Sequence, residues 1–218
     1  MPEIIDDKSE HCIPFILERM KAHQKAYPNG NAPPFFLGLN GVQGAGKTTL
    51  VSTLCNTLRS SPYDLPTVVL SIDDLYLPHA QQTALAEAHP KNPLVQHRGQ
   101  PSTHDVPLGT SLFKALKNRD SDIKIPSYDK SAFNGQGDRT DPETWEVVNA
   151  GQKKTEVIVF EGWCVGFRPL TDEALRSKWQ NAKLHAKSSD YVGQLGKLEF
   201  EDVKLVNDAL RQYDALTS

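Results

Sequence analysis

Residues 41 to 48 read GVQGAGKT, a match to the pattern G-x-x-x-x-G-K-[ST]. The chemistry this spacing serves is the binding of a nucleoside triphosphate. Glycines at 41, 44 and 46 let the backbone turn its N–H groups inward around phosphate oxygens. A helix starting directly after them adds the partial positive charge of its N-terminus. Lys47 has the reach to contact the β- and γ-phosphates, and the Thr48 hydroxyl can ligate Mg2+. The residues expected to contact ATP are therefore Gly41, Val42, Gln43, Gly44, Ala45, Gly46, Lys47, Thr48 and Thr49.

The stretch SIDDLYLPH, 71 to 79, sets Asp73 and Asp74 side by side where an apolar run ends. One of them alone could serve a turn by bonding its own backbone. The phosphate loop changes that balance, because ligands of a doubly wound sheet lie beyond the carboxyl ends of its strands. The loop, SIDD and the later FEGW all follow such ends, so their side chains are expected to converge. Asp73 or Asp74 can then take the proton from an acceptor hydroxyl or hold Mg2+. Glu161 closes its strand as the acidic residue of a Walker-B-like element, bonded to Mg2+ directly or through water. The expected metal set is Thr48, Asp73, Asp74 and Glu161.

The elements that must position these groups are legible as periodic runs. A helix is predicted over 9 to 26, with Ser9 as its N-cap and Ile13, Ile16, Leu17 and Met20 at helical spacing. PNGNAPP breaks the chain, FFLGLN (35 to 40) is a buried strand, and 48 to 61 is a helix with Leu50, Leu54 and Leu58 four apart. TVVLSID (67 to 73) and VIVFEG (157 to 162) are two more buried strands. Unbroken apolar strands separated by helices indicate a mainly parallel sheet covered on both faces, a three-layer α/β sandwich of the P-loop NTPase type. The C-terminal third reads as helical, with Phe200, Val203, Val206 and Leu210 on one face.

Between the second and third strands, ALAEAH and PLGTSLFKALKNR read as helices and PSYDKSAFNGQGDRT as a polar loop. An insertion this long, about 78 to 140 within one domain of 1 to 218, is expected to be functional. Tyr76, then Arg98, His104 and Asp105 from HRGQPSTHD, and Tyr128, Lys130 and Arg139 from PSYDKSAFNGQGDR can hydrogen-bond a small anionic, hydroxylated acceptor. A formal net charge of −3 argues against nonspecific binding to nucleic acid or an anionic membrane surface. Cys12, Cys55 and Cys164 are odd in number and far apart, which suggests neither a disulfide framework nor a zinc site. The acidic N-terminus lacks the apolar core of a signal peptide, and no run approaches the roughly 20 residues of a membrane span. The expectation is a cytoplasmic protein, with the nucleus also open and the oligomeric state unassigned.

GVQGAGKTTL, SIDDLYLPH, RGQPSTHD, PSYDKSAFNGQGDR and FEGWCVGF, in that order, resemble the D-glycerate 3-kinase family of plants and fungi, above all its fungal ATP-binding kinase-like members. That group is similar to the P-loop kinases that include uridine kinase, phosphoribulokinase and bacterial pantothenate kinase. The resemblance spans about residues 10 to 215. It implies that Asp73 is the catalytic base, and that Asp105 and Tyr128 stand where related kinases hold the acceptor's hydroxyls. The family pattern continues past the point that matches LRQYDALTS with a further strand and a lid helix whose arginines have no counterpart here, Arg211 lying too early. On that ground this chain is expected to bind ATP, to turn it over slowly and to be marginally stable alone. Other readings are the same chemistry on a nucleoside or pantothenate, and an ATP-binding protein with little phosphotransfer. A GTPase is disfavoured because no NKxD-like tetrapeptide is present.

Overall fold

The computed structural model describes residues 9–42, 46–188 and 190–217. Its elements in chain order are α1 (Ser9–Lys25), β1 (Phe35–Asn40), α2 (Lys47–Arg59), β2 (Thr67–Ser71), α3 (His79–Ala88), α4 (Val106–Lys117), β3 (Ile123–Ile125), β4 (Tyr128–Asp129), α5 (Ala132–Gly135), β5 (Asp138–Arg139), β6 (Glu146–Val148), β7 (Val157–Gly162), α6 (Asp172–His185) and α7 (Phe200–Tyr213). They fall into two units. One comprises the described residues of Met1–Asp74, Pro107–Ser127 and Thr140–Val165; the other those of Leu75–Val106, Tyr128–Arg139 and Gly166–Ser218.

In the first unit the three apolar runs form a parallel sheet of order β1-β7-β2. Phe35 and Thr67 both lie opposite Val157, so odd-numbered residues of all three strands share one face. On that face Ile13, Ile16 and Met20 of α1 and Val51, Leu54, Cys55 and Leu58 of α2 enclose Val157 and Val159, with Leu37 and Val69 against them. The helical residues follow the i, i+3, i+4, i+7 spacing that gathers an apolar stripe on one side of a helix. On the even-numbered face Phe113 of α4 meets Phe36 at 5.6 Å and Phe160 edge-on at 4.9 Å between ring centroids. The sheet is thus the middle of three layers. Val157, Ile158 and Val159 are fully buried, and each contributes about 1.5–3 kcal/mol of transfer free energy. A small antiparallel ribbon, β3 with β6, completes this unit.

The second strand ends earlier than its composition predicts. It stops at Ser71, and Ile72–Leu75 turn as a 3-10 helix. Ser71 favours that turn, since its hydroxyl accepts a hydrogen bond from the backbone N–H of Asp73 at 3.3 Å and so competes with the sheet ladder. Ile72 is buried against Gly162 at the end of β7. A Cβ on Gly162 would collide with Cγ2 of Ile72 and come within 3.0 Å of its Cβ and 3.2 Å of Val165 Cγ2.

In the second unit the stretch expected to be a polar loop is an antiparallel hairpin. Tyr128 pairs with Arg139 and Asp129 with Asp138, around a turn in which Phe133 and Asn134 are left-handed, at φ 49° and 55°. Only two residues per strand pair, and the ladder is held by polar contacts, so no hydrophobic alternation marks it in the sequence. Helices α6 and α7 meet through Trp179 and Phe200, whose rings lie 5.5 Å apart. The buried amide of Asn207 both accepts from the N–H and donates to the carbonyl of Leu170. Among the described residues no helix is long and apolar enough to cross a membrane.

The contact at the end of β7 generates a test. Gly162→Ala overpacks the Ile72 site and should destabilise the fold by about 1–3 kcal/mol. Denaturant melts read this directly, and an unchanged midpoint would mean that Ile72 yields without cost.

Candidate functional site

Strand β1 delivers the chain to the phosphate loop, and α2 carries it away. The side-chain amide of Asn40 donates to the carbonyl of Val165 at 2.8 Å, tying the end of β1 to the turn after β7. Gly46, at φ 77° and ψ 18°, is the residue before α2, a left-handed conformation that suits glycine. Gly46 has no side chain with which to cap this helix, and the first turn carries no acidic residue. Thr48 and Thr49 lie in that first turn. Lys47 folds back over the loop, its Nζ donating to the carbonyls of Gly41 and of Val42, the latter at 2.9 Å. Gln43, Gly44 and Ala45 lie outside the described residues.

The candidate carboxylates stand at the ends of the neighbouring strands. Glu161 is odd-numbered and lies on the sheet face that α2 covers. Its Oε1 accepts from the hydroxyl of Ser71, its register partner on β2, at 2.6 Å. Asp73 and Asp74 sit on the 3-10 turn between buried Ile72 and Leu75. Beside them is Cys164, whose thiol burial pushes up to about 12, with the charge of Asp73 adding to the shift. Among the described residues no three His, Cys, Asp or Glu side chains enclose a metal ion. That does not count against Mg2+, which keeps several waters and is held by one or two carboxylates beside phosphate oxygens. An all-oxygen set of Thr48, Asp73, Asp74 and Glu161 suits that hard cation, and Glu161 is already oriented by Ser71.

The second unit contains all seven candidate acceptor residues. Tyr76 and His104 stack at 4.5 Å and form an isolated bridge, and Tyr128 meets Tyr76 edge-on at 5.4 Å. Burial raises the Tyr128 hydroxyl's pKa above its ordinary value. Arg139 joins them through a 3.0 Å ion pair with Asp105 and a 2.9 Å bond to the carbonyl of Tyr76. Arg98 lies over the Tyr128 ring, its guanidinium carbon 5.7 Å from the centroid. Its donors go to the carbonyls of Gly135 at 2.7 Å, Gln136 and Lys130, the last at 3.3 Å. Lys130 enters this network by its backbone. Both arginines thus spend donors on the protein, Arg98 on the hairpin and Arg139 on its base.

Two participants have no motif to announce them. Tyr213 on α7 is buried, and its hydroxyl meets Nδ1 of His104 at 2.6 Å and accepts from the N–H of Ser102 at 3.2 Å. It continues the α7 stripe one turn beyond Leu210, so extending that periodicity would have found it. Ser71 has the one signal of facing Glu161 in register, which requires knowing the strand order.

Cys164 supplies a test of how closed this region is. In the native protein at pH 8, iodoacetamide should modify the partly exposed Cys12 and spare the buried Cys55 and Cys164. An unfolded thiol titrates near 9 and the folded one near 12. Burial of the protonated thiol therefore contributes stability below pH 9, and that contribution is lost as pH rises from 9 towards 12. Mass spectrometry showing Cys164 labelled as fast as Cys12 would mean that the turn after β7 opens readily.

No family model matches the chain. It is 37% identical over 211 residues to an uncharacterised kinase of Schizosaccharomyces pombe, covering 89% of this chain and 75% of that one. It is 34% identical over 164 residues to the chloroplastic D-glycerate 3-kinase of Arabidopsis thaliana, covering 73% of this chain and 35% of the plant protein. The solved structure of a D-glycerate 3-kinase from Cryptococcus neoformans superposes with a TM-score of 0.83 at 32% identity, over 97% of this chain and 70% of that one. These identities, and a fold shared with the Cryptococcus protein, lead to one assignment: the chain belongs to the D-glycerate 3-kinase family of P-loop kinases.

Proposed function

We propose that the chain transfers the γ-phosphoryl group of ATP to a hydroxyl of a small hydroxylated acid, with glycerate as the leading acceptor. The observation that carries this reading is the set of groups at the carboxyl ends of β1, β2 and β7. A helix start led by Gly46 bears Lys47, and the neighbouring strands end in a two-aspartate turn and in Glu161. The choice of glycerate rests on kinship with two proteins named D-glycerate 3-kinase.

In this reading the amides of residues 41 to 49 and the Lys47 ammonium cradle the phosphates. Lys47 would exchange the carbonyls of Gly41 and Val42 for phosphate oxygens, a charge-assisted bond in place of a neutral acceptor. Thr48, Glu161 and the aspartate pair would hold Mg2+, which when bound neutralises charge on the β- and γ-phosphates. Asp73 removes the proton as the acceptor oxygen attacks the γ-phosphorus and ADP leaves. Fixed positive groups such as Lys47 favour the charge that builds on the transferring oxygens, and they do so without reorganising. Asp105, Tyr128, His104, Tyr76 and Lys130 supply the acceptor's contacts, while Arg98 and Arg139 hold the hairpin that carries Tyr128.

The test is a coupled ADP-release screen over glycerate, other hydroxy acids, nucleosides and pantothenate, in which glycerate should give the highest kcat/KM. Asp73→Asn keeps size but cannot accept the proton, so turnover on the best acceptor should fall by about 10²–10⁴-fold with ATP binding largely kept. If Asp74→Asn is the more damaging change, the roles within the pair are reversed. A nucleoside or pantothenate as best acceptor would retain the kinase and discard the glycerate assignment.

A further inference from the structure

Resting on the phosphotransfer reading above, we infer that Ser71 is a positioning residue that orients the Glu161 carboxylate towards the Mg2+ of the nucleotide complex. Ser71 and Glu161 are register partners on β2 and β7, so the sheet itself holds their backbones opposite each other. The Ser71 hydroxyl has one proton, and it gives that proton to Oε1 of Glu161 at 2.6 Å. A bond this short to a carboxylate is of the charge-assisted kind, stronger than a neutral pair. It fixes the carboxylate's plane and occupies Oε1, directing Oε2 to a cation or to a water on that cation.

The Ser71 hydroxyl oxygen also accepts a hydrogen bond from the N–H of Asp73 at 3.3 Å. That contact is longer and weaker, but it means one hydroxyl touches both the turn that carries the proposed base and the proposed metal carboxylate. Ser71 therefore sets two groups at once, Glu161 through its side chain and Asp73 through its backbone. Groups that orient a metal's ligands typically change metal affinity or activity 10–100-fold when removed. Alanine at 71 would delete the donor, and threonine would retain it on a β-branched frame suited to a strand.

The experiment is calorimetric titration of ADP into the full chain at a series of Mg2+ concentrations, for wild type, Ser71→Ala and Ser71→Thr, with thermal melts to confirm folding. Ser71→Ala should raise the Mg2+ concentration for half-maximal nucleotide affinity about tenfold or more, leave affinity in EDTA unchanged, and be restored in large part by Ser71→Thr. In a Glu161→Gln background Ser71→Ala should add little, because the two act through one contact. If Ser71→Ala does not fold, Ser71→Cys, similar in size and a weaker donor, is measured in its place. Wild-type Mg2+ dependence in the variant, an equal loss in EDTA, or full additivity with Glu161→Gln would overturn the inference alone. Nucleotide affinity that ignores Mg2+ in the wild-type protein would overturn the reading of the nucleotide site as well.

Discussion

Strand β7 is paired on both edges, with Val157 opposite Phe35 on one side and Thr67 on the other, and the arrangement of the first unit depends on this shared register. Side chains alternate across a sheet with a period of two, so a slip of one residue on either edge would exchange every face assignment on that strand. In the observed register the odd positions of β1, β2 and β7 meet α1 and α2, and the even positions meet α4. Glu161 then emerges on the face that α2 covers, directly opposite Ser71. The apolar residues resist a slip, since Val157, Ile158, Val159 and Phe160 are packed between the layers and would have to repack against the opposite helices. The Glu161 carboxylate is thus located by hydrophobic packing several residues earlier in its strand.

That dependence explains which parts of the molecule could be read from sequence. Buried parallel strands are continuous apolar runs, and β1 and β7 begin and end where their composition changes. Helices α1, α2, α4 and α7 each carry a stripe whose period is intrinsic to the chain. The phosphate loop is legible because its glycines and lysine answer to local backbone geometry. The contact between Ser71 and Glu161 was not legible, because it joins residues 90 apart in sequence and follows only from strand order. Hairpin β4–β5 was hidden for a related reason. Its backbone carbonyls are bonded by Arg98 and its turn uses left-handed residues at 133 and 134, neither of which produces an alternating pattern.

The arginines show that charge in a sequence also serves the fold. Arg98 and Arg139 look available for an anionic acceptor, since their neighbours are polar. Arg98 places its donors on three backbone carbonyls of the hairpin, and Arg139 joins Asp105 and the carbonyl of Tyr76. The Arg139–Asp105 pair is sheltered, with 14% and 21% of the side chains exposed, so losing either member would leave a half-buried charge to be resolvated or neutralised. Arginine's rigid fork suits such multiple acceptors better than lysine would. The polar character that marked this insertion as functional is in large part the means by which it folds.

The early end of β2 has a physical cause of the same kind. Had the strand continued, alternation would have sent Asp73 and Asp74 to opposite faces of the sheet. The 3-10 turn keeps the pair together instead. With about three residues per turn, Ile72 and Leu75 are stacked one above the other, and both are buried. The two aspartates between them then project away from the apolar side, each partly exposed. Gly162 is the complement to this turn on β7, since any side chain there would occupy the space that Ile72 fills. Two adjacent carboxylates can therefore stand at a strand end without entering the core, provided that the residues flanking them are apolar and three apart.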